Sequence, residues 1–96
     1  MKEYLIIWSP LAEETYLNIL SQILEKWTVR EAEAFETKVE SLIDKLRTQK
    51  YLCPSSKKQK GLRRCVIAPQ TSLVYQITGD VIELIAFFDN RSQHQY

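Results

Sequence analysis

The chain has 96 residues, 45% hydrophobic and 26% charged, which is the make-up of a soluble globular protein with one core and no room for a second. Three prolines and two glycines leave little for linkers or low-complexity segments. No apolar run approaches the ~20 residues of a membrane span, and MKEYLIIWSP reads as a first strand, not a signal peptide.

The net charge of +1 hides an uneven distribution. Through Asp44 the chain carries four basic and nine acidic residues, and from Lys45 onward nine basic and three acidic. The stretch KLRTQKYLCPSSKKQKGLRR, Lys45–Arg64, contains no acid at all.

EYLIIWS, Glu3–Ser9, has the β-branched and aromatic residues of a strand, stopped by Ser9-Pro10. The same two residues suit the N-cap and first position of a helix, since the missing N–H of proline costs nothing there. Glu13 and Glu14 favour the positive end of that helix. Ala12, Tyr16, Ile19, Leu20, Ile23, Leu24 and Trp27 recur at three- and four-residue steps as one apolar stripe. Thr28 and Glu31 form a capping box, so a second helix starts at once, with the stripe Ala32, Phe35, Val39, Leu42, Ile43 and Leu46. So short a connection predicts an antiparallel helical hairpin. The acidic residues on its outer faces read as solvated surface.

A polar loop, Tyr51–Lys60, leads to three strands, Gly61–Ala68, Thr71–Ile77 and Val81–Phe88. Turn signals at Pro69-Gln70 and Gly79-Asp80 separate them. Strand periodicity places Ile82, Leu84, Ala86 and Phe88 on one face, the side expected to cover the helices. The order β-α-α-β-β-β is α+β, a helical hairpin on a mostly antiparallel four-stranded sheet, with residues 1–96 expected to form a single domain.

Cys53 and Cys65 have neither a CxxC spacing nor a nearby histidine, which argues against a zinc or redox site. Cys65 lies in a strand pattern that suits a buried, inert thiol. Two unpaired cysteines without an export signal fit a reducing cytosol. Neither a metal nor another cofactor is expected.

Lys57, Lys58 and Lys60 on the loop, with Arg63 and Arg64 opening the next strand, form a cluster suited to phosphate contacts. The plainer alternative is a solubilising loop that complements the acidic helices. Arg63 and Arg64 are strand neighbours and point to opposite faces, so only one of them can line a given groove. Arg91 follows a buried strand and can hold an anion or pair with Asp89. His94 and Tyr96 belong to DNRSQHQY, the end of the sequence. Either residue type can act as a general acid or base when held within reach, but nothing apolar after Phe88 would dock that segment.

Taken together, these pieces resemble the RelE/ParE superfamily of toxins from bacterial type II toxin–antitoxin modules. The resemblance rests on Trp8-Ser9-Pro10 followed by Glu13-Glu14, EAEAF at Glu31–Phe35, and Leu62-Arg63-Arg64. It continues with SLVYQI at Ser72–Ile77 and FFDNR at Phe87–Arg91. It implies a small cytoplasmic toxin held inactive by a cognate antitoxin laid over its helices and sheet edge, with higher-order assembly a further expectation. RelE-like members cleave mRNA in the ribosome with basic residues and a tyrosine near the C-terminus, whereas ParE-like members poison DNA gyrase. By that resemblance Arg63, Arg91 and Tyr96 are the expected catalytic set, and Lys57, Lys58, Lys60 and Arg64 the expected nucleic-acid contacts. Ser72 stands where the cleaving enzymes carry an arginine. Ribosome-dependent mRNA cleavage is placed first on this reading. The alternatives are gyrase poisoning without nuclease activity, or a decayed toxin that only binds its antitoxin or operator.

Overall fold

The computed structural model describes residues 2–91 and 96. Strand β1 (Leu5–Trp8) is followed by helices α1 (Pro10–Lys26) and α2 (Val29–Leu46), and then by strands β2 (Arg63–Ala68), β3 (Thr71–Thr78) and β4 (Val81–Asp89). The sheet order is β1-β4-β3-β2, with β1 parallel to β4 and the other two pairings antiparallel. The expected α+β architecture is therefore present. Among the described residues no helix is long and apolar enough to cross a membrane.

The helix starts follow the sequence signals. Ser9 caps α1 by accepting a hydrogen bond from the Ala12 N–H at 2.9 Å, with Pro10 in the first position. Thr28 caps α2 by accepting from the Glu31 N–H. The α2 stripe is buried as expected apart from half-buried Leu42. On α1 the stripe fades at its last turn. Leu24 and Trp27 are 51% and 69% exposed. Gly79, at φ +59, takes the first central position of the β3–β4 turn, between the paired Thr78 and Val81.

Strand β4 departs from simple alternation. Val74 pairs with Ala86, but the next residue, Tyr75, pairs with Leu84, which leaves Ile85 as a bulge. Ile82 and Leu84 face the helices as expected, but beyond Ile85 the faces exchange. Phe87 joins the core beneath the hairpin, whereas Ala86 and Phe88 pack with Leu62 and Val74 on the other face of the sheet. The expectation that Ala86 and Phe88 cover the helices is corrected by this one extra residue.

The bulge lies where β1 ends. The last strand-like bond on that side is Ser9 N–H to the Leu84 carbonyl at 3.0 Å. From there α1 crosses the exposed edge of β4 and supplies side-chain partners. The Ser9 hydroxyl donates to the Ile85 carbonyl at 2.8 Å, and the Thr15 hydroxyl accepts from the Phe87 N–H at 2.9 Å. Phe87 then stacks on Trp8, with centroids 5.5 Å apart, and touches Tyr16, which stacks in turn on Phe35.

The cysteines also differ from expectation. Cys53 and Cys65 are joined as a disulfide, with Cα atoms 5.3 Å apart and both residues buried in the helix-side core. Their spacing carried no signal, because the fold of the loop, not the sequence interval, brings Cys53 onto the middle of β2. Closing a ring of this size contributes on the order of 3 kcal/mol by restricting the unfolded chain. Nearby, the buried Tyr75 hydroxyl donates to the Lys50 carbonyl at 2.7 Å and accepts from the Cys53 N–H. Burial raises the pKa of this phenol above its ordinary value.

Two substitutions test these joints. Tyr75→Phe leaves the half-buried Lys50 carbonyl and the buried Cys53 N–H short of a partner and should cost about 1–3 kcal/mol in denaturant unfolding. Thr15→Val removes the acceptor for Phe87 N–H and should cost a similar ~1–3 kcal/mol, read by the same measurement.

Candidate functional site

The sheet face away from the helices carries a polar cluster built around one buried hydroxyl. Ser72 is fully buried, and it is the one buried polar residue among the described residues. Its hydroxyl donates to Asn90 Oδ1 at 2.7 Å. The Arg64 Nη2 donates to the same oxygen at 2.7 Å, and its Nε lies 3.4 Å from the Ser72 hydroxyl. Asn90 is itself fixed, since its backbone N–H bonds the Gln70 carbonyl and its side-chain nitrogen the Pro69 carbonyl. The Arg64 guanidinium lies over the Phe88 ring at 5.2 Å, and Tyr96 packs on the same ring with centroids 5.3 Å apart. The tail tyrosine is thus docked, contrary to expectation, on an aromatic residue that the bulge had turned to this face. The carbonyl of Tyr96 also accepts a hydrogen bond from the Ser56 hydroxyl. His94 lies outside the described residues.

Arg63 lies on the opposite face. Its Nη1 donates to the Cys53 carbonyl at 2.6 Å, and its guanidinium covers the Tyr51 ring at 4.8 Å. Lys50 Nζ lies 5.3 Å from the centre of Tyr51 and 5.1 Å from that of Tyr4. Tyr4, Lys50, Tyr51 and Arg63 therefore form a ladder of alternating rings and cations, which holds two positive charges through ring faces instead of carboxylates. The ladder borders a cleft of about 410 Å³ whose wall includes Gly61 and Leu62. Lys57, Lys58 and Lys60 stand exposed on the adjoining loop.

Arg91 belongs to a third place. It is exposed and grips Asp89 with two side-chain bonds, of 3.1 and 2.9 Å, and its own N–H bonds the same carboxylate. These bonds hold the Asp89 carboxyl down to about 2. The pair lines a cleft of about 430 Å³ with Ile19, Ile23, Trp27 and Phe35, between the helices and the β2–β3 turn.

The residues expected to be catalytic therefore occupy separate surroundings. Tyr96 shares a ring with Arg64, Arg63 belongs to the cation ladder, and Arg91 is chelated by Asp89. Arg63 opens β2 and Arg91 lies beyond the far end of β4. Arg63 stands opposite Tyr75 and Asp89 opposite Thr71, so at ~3.3 Å per residue Arg63 and Asp89 are roughly 13 Å apart along the strands, with Arg91 two residues further on. Sequence reasoning missed Asn90 as an organising residue. The one available signal was an asparagine directly after a buried strand, which reads equally well as a turn.

The toxin–antitoxin complex of a chromosomal ParDE system from P. aeruginosa matches at a TM-score of 0.76 and 11% identity, over 91% of this chain and 96% of that one. The E. coli DinJ–YafQ toxin–antitoxin complex matches at 0.62 and 17%, over 91% and 92%. The YoeB dimer from Staphylococcus aureus matches at 0.62 and 19%, over 94% and 99%. At these identities the likeness is one of fold. No curated protein sequence matches the chain. The family model for the ParE toxin of type II toxin–antitoxin systems, parDE, matches residues 6–94, nearly the full length, and the chain belongs to that toxin family.

Proposed function

We propose that this toxin arrests growth from the cytoplasm as a ParE-like poison of DNA gyrase, and that a cognate antitoxin holds it inactive until released. The observation that carries this reading over mRNA cleavage is the dispersal of the expected catalytic set. In-line attack of a ribose 2′-hydroxyl on the neighbouring phosphate needs cations and a proton-transfer group around one phosphate. Arg91 is engaged by Asp89, Arg63 points to the other face of the sheet, and Ser72 offers a buried hydroxyl in place of an arginine.

On this reading Lys57, Lys58, Lys60 and Arg64 form a contact surface for an acidic macromolecule and take no part in bond cleavage. The uneven charge of the chain supports an antitoxin with acidic segments over this surface. The parDE family match and the ParDE and DinJ–YafQ complexes among the similar structures support an antitoxin as the partner.

A second reading has one observation in its favour. Arg64 and Tyr96 flank Phe88 on a single face, and Arg64 bonds the neutral side chains of Ser72 and Asn90. A reduced nuclease centre would use this pair in place of Arg63 and Arg91.

Pulse labelling with methionine and thymidine after induction of the chain alone separates the two. The expected result is an early fall in thymidine incorporation, with a stabilised gyrase–DNA cleavage complex in purified components. Tyr96→Phe should then keep its toxicity within about twofold. An early fall in methionine incorporation, with toxicity lost in Arg64→Ala and Tyr96→Phe, would establish the nuclease reading instead. Harmless expression of the unaltered chain would overturn both and leave a binding role.

A further inference from the structure

The disulfide is the covalent anchor of the loop that precedes β2. Of the residues between Cys53 and Cys65, Leu62 is the one that is buried. The loop otherwise meets β2 through Ser56 N–H to the Leu62 carbonyl at 2.8 Å, Arg64 N–H to the Pro54 carbonyl at 3.0 Å and Arg63 Nη1 to the Cys53 carbonyl at 2.6 Å, and it meets Tyr96 through the Ser56 hydroxyl. The Tyr75 hydroxyl reaches the Cys53 N–H only at 3.4 Å. The two sulfurs join this loop to the middle of a strand whose own ladder with β3 is complete without them. Breaking the bond therefore removes an anchor of the loop while leaving the hairpin and sheet intact.

The anchored elements are the exposed cations. Lys57, Lys58 and Lys60 lie within the ring, Arg63 bonds the Cys53 carbonyl, and Lys50 shares the Tyr75 hydroxyl with Cys53 through its own carbonyl. In a reducing cytosol a bond of this kind is a transient, redox-sensing one rather than a permanent staple.

We propose that Cys53 and Cys65 form a redox clamp on the basic loop: bonded, it fixes the lysines and the Lys50–Tyr51–Arg63 ladder, and reduced, it releases them. The oxidant is a small disulfide of the glutathione type. The thiolate of Cys53, 8% exposed against 2% for Cys65, attacks it, forming a mixed disulfide and expelling one thiol. The Cys65 thiolate then attacks the Cys53 sulfur and expels the second thiol, the two protein protons ending on the two departing thiols. Two protein thiols are oxidised and one small disulfide is reduced to two thiols, and excess thiol reverses both steps.

Trypsin cleaves after the residues concerned, so limited proteolysis of the purified full chain reads the clamp directly. The chain is equilibrated in glutathione buffers from reducing to oxidising, with thiols counted by mass and helix content followed by far-ultraviolet circular dichroism. The expected result is cleavage after Lys57, Lys58 and Lys60 at least tenfold faster in the reduced chain, with helix content unchanged. Cys65→Ala should cleave at the fast rate in every buffer. Cys53→Ser, at the less deeply buried of the two residues, should do the same and serves if the first variant does not fold. Three results would overturn the proposal. They are equal cleavage rates with two free thiols counted, two free thiols in every buffer, and loss of helix signal on reduction, which would mark the bond as a structural staple.

Discussion

The extra residue at Ile85 governs what both faces of the sheet can do. Without it, Phe88 would point at the helices and Phe87 away from them. The aromatic group of Trp8, Tyr16, Phe35 and Phe87 would lose its central ring, and Arg64 and Tyr96 would lose the surface they share. The bulge is held because α1 crosses the edge of β4 where β1 stops, and Ser9 and Thr15 bond the backbone groups of Ile85 and Phe87. Ser9 therefore serves twice, as helix cap and as edge partner. The two roles are compatible because its hydroxyl accepts from one N–H while donating to another carbonyl.

From that joint the molecule separates its chemistry by side. The hairpin covers one face with apolar stripes and presents acids outward. The other face carries a small polar network around Ser72. Apart from Arg91, which follows β4, the cations described above lie at the sheet edge formed by β2 and the loop before it. Each cationic group is held differently: Arg91 by a carboxylate, Arg64 by neutral amide and hydroxyl oxygens, Lys50 and Arg63 by aromatic faces. Charge neutralised by Asp89 offers little to a partner. Charge held by rings and amides remains available, which makes the β2 edge and the helix-free face the surfaces with something to offer an acidic partner.

Much of this was legible in the sequence. Ser9-Pro10 and Thr28-x-x-Glu31 marked helix starts through local chemistry that needs no tertiary context, and the strand turns were marked by Pro69 and Gly79 in the same way. The period of two placed Arg63 and Arg64 on opposite faces without saying which faced the helices. The bulge was hidden because VIELIAFF is apolar at nearly every position after Glu83, so the pattern reads equally well before and after a change of face. Trp27 and Leu24 followed the α1 stripe faithfully, but a stripe cannot report how far the rest of the fold covers it. The disulfide depends on a loop whose path only the folded chain defines, as does the dispersal of Arg63, Arg91 and Tyr96.

The pairing of β1 with β4 has a consequence for how the molecule comes into being. The first strand lies parallel to the last, so the sheet order cannot be completed from neighbouring segments. As the chain leaves the ribosome, β1 and both helices emerge without the sheet they cover, because β4, the strand that β1 pairs with and α1 crosses, is still to be made. Such a long-range closure is slow compared with hairpin formation, and it makes assembly nearly all-or-none. A nascent toxin therefore has neither the Arg64–Phe88–Tyr96 surface nor the aromatic centre until its final strand is synthesised. A chain cut short before β4 would be an aggregation-prone fragment and not a weakened toxin.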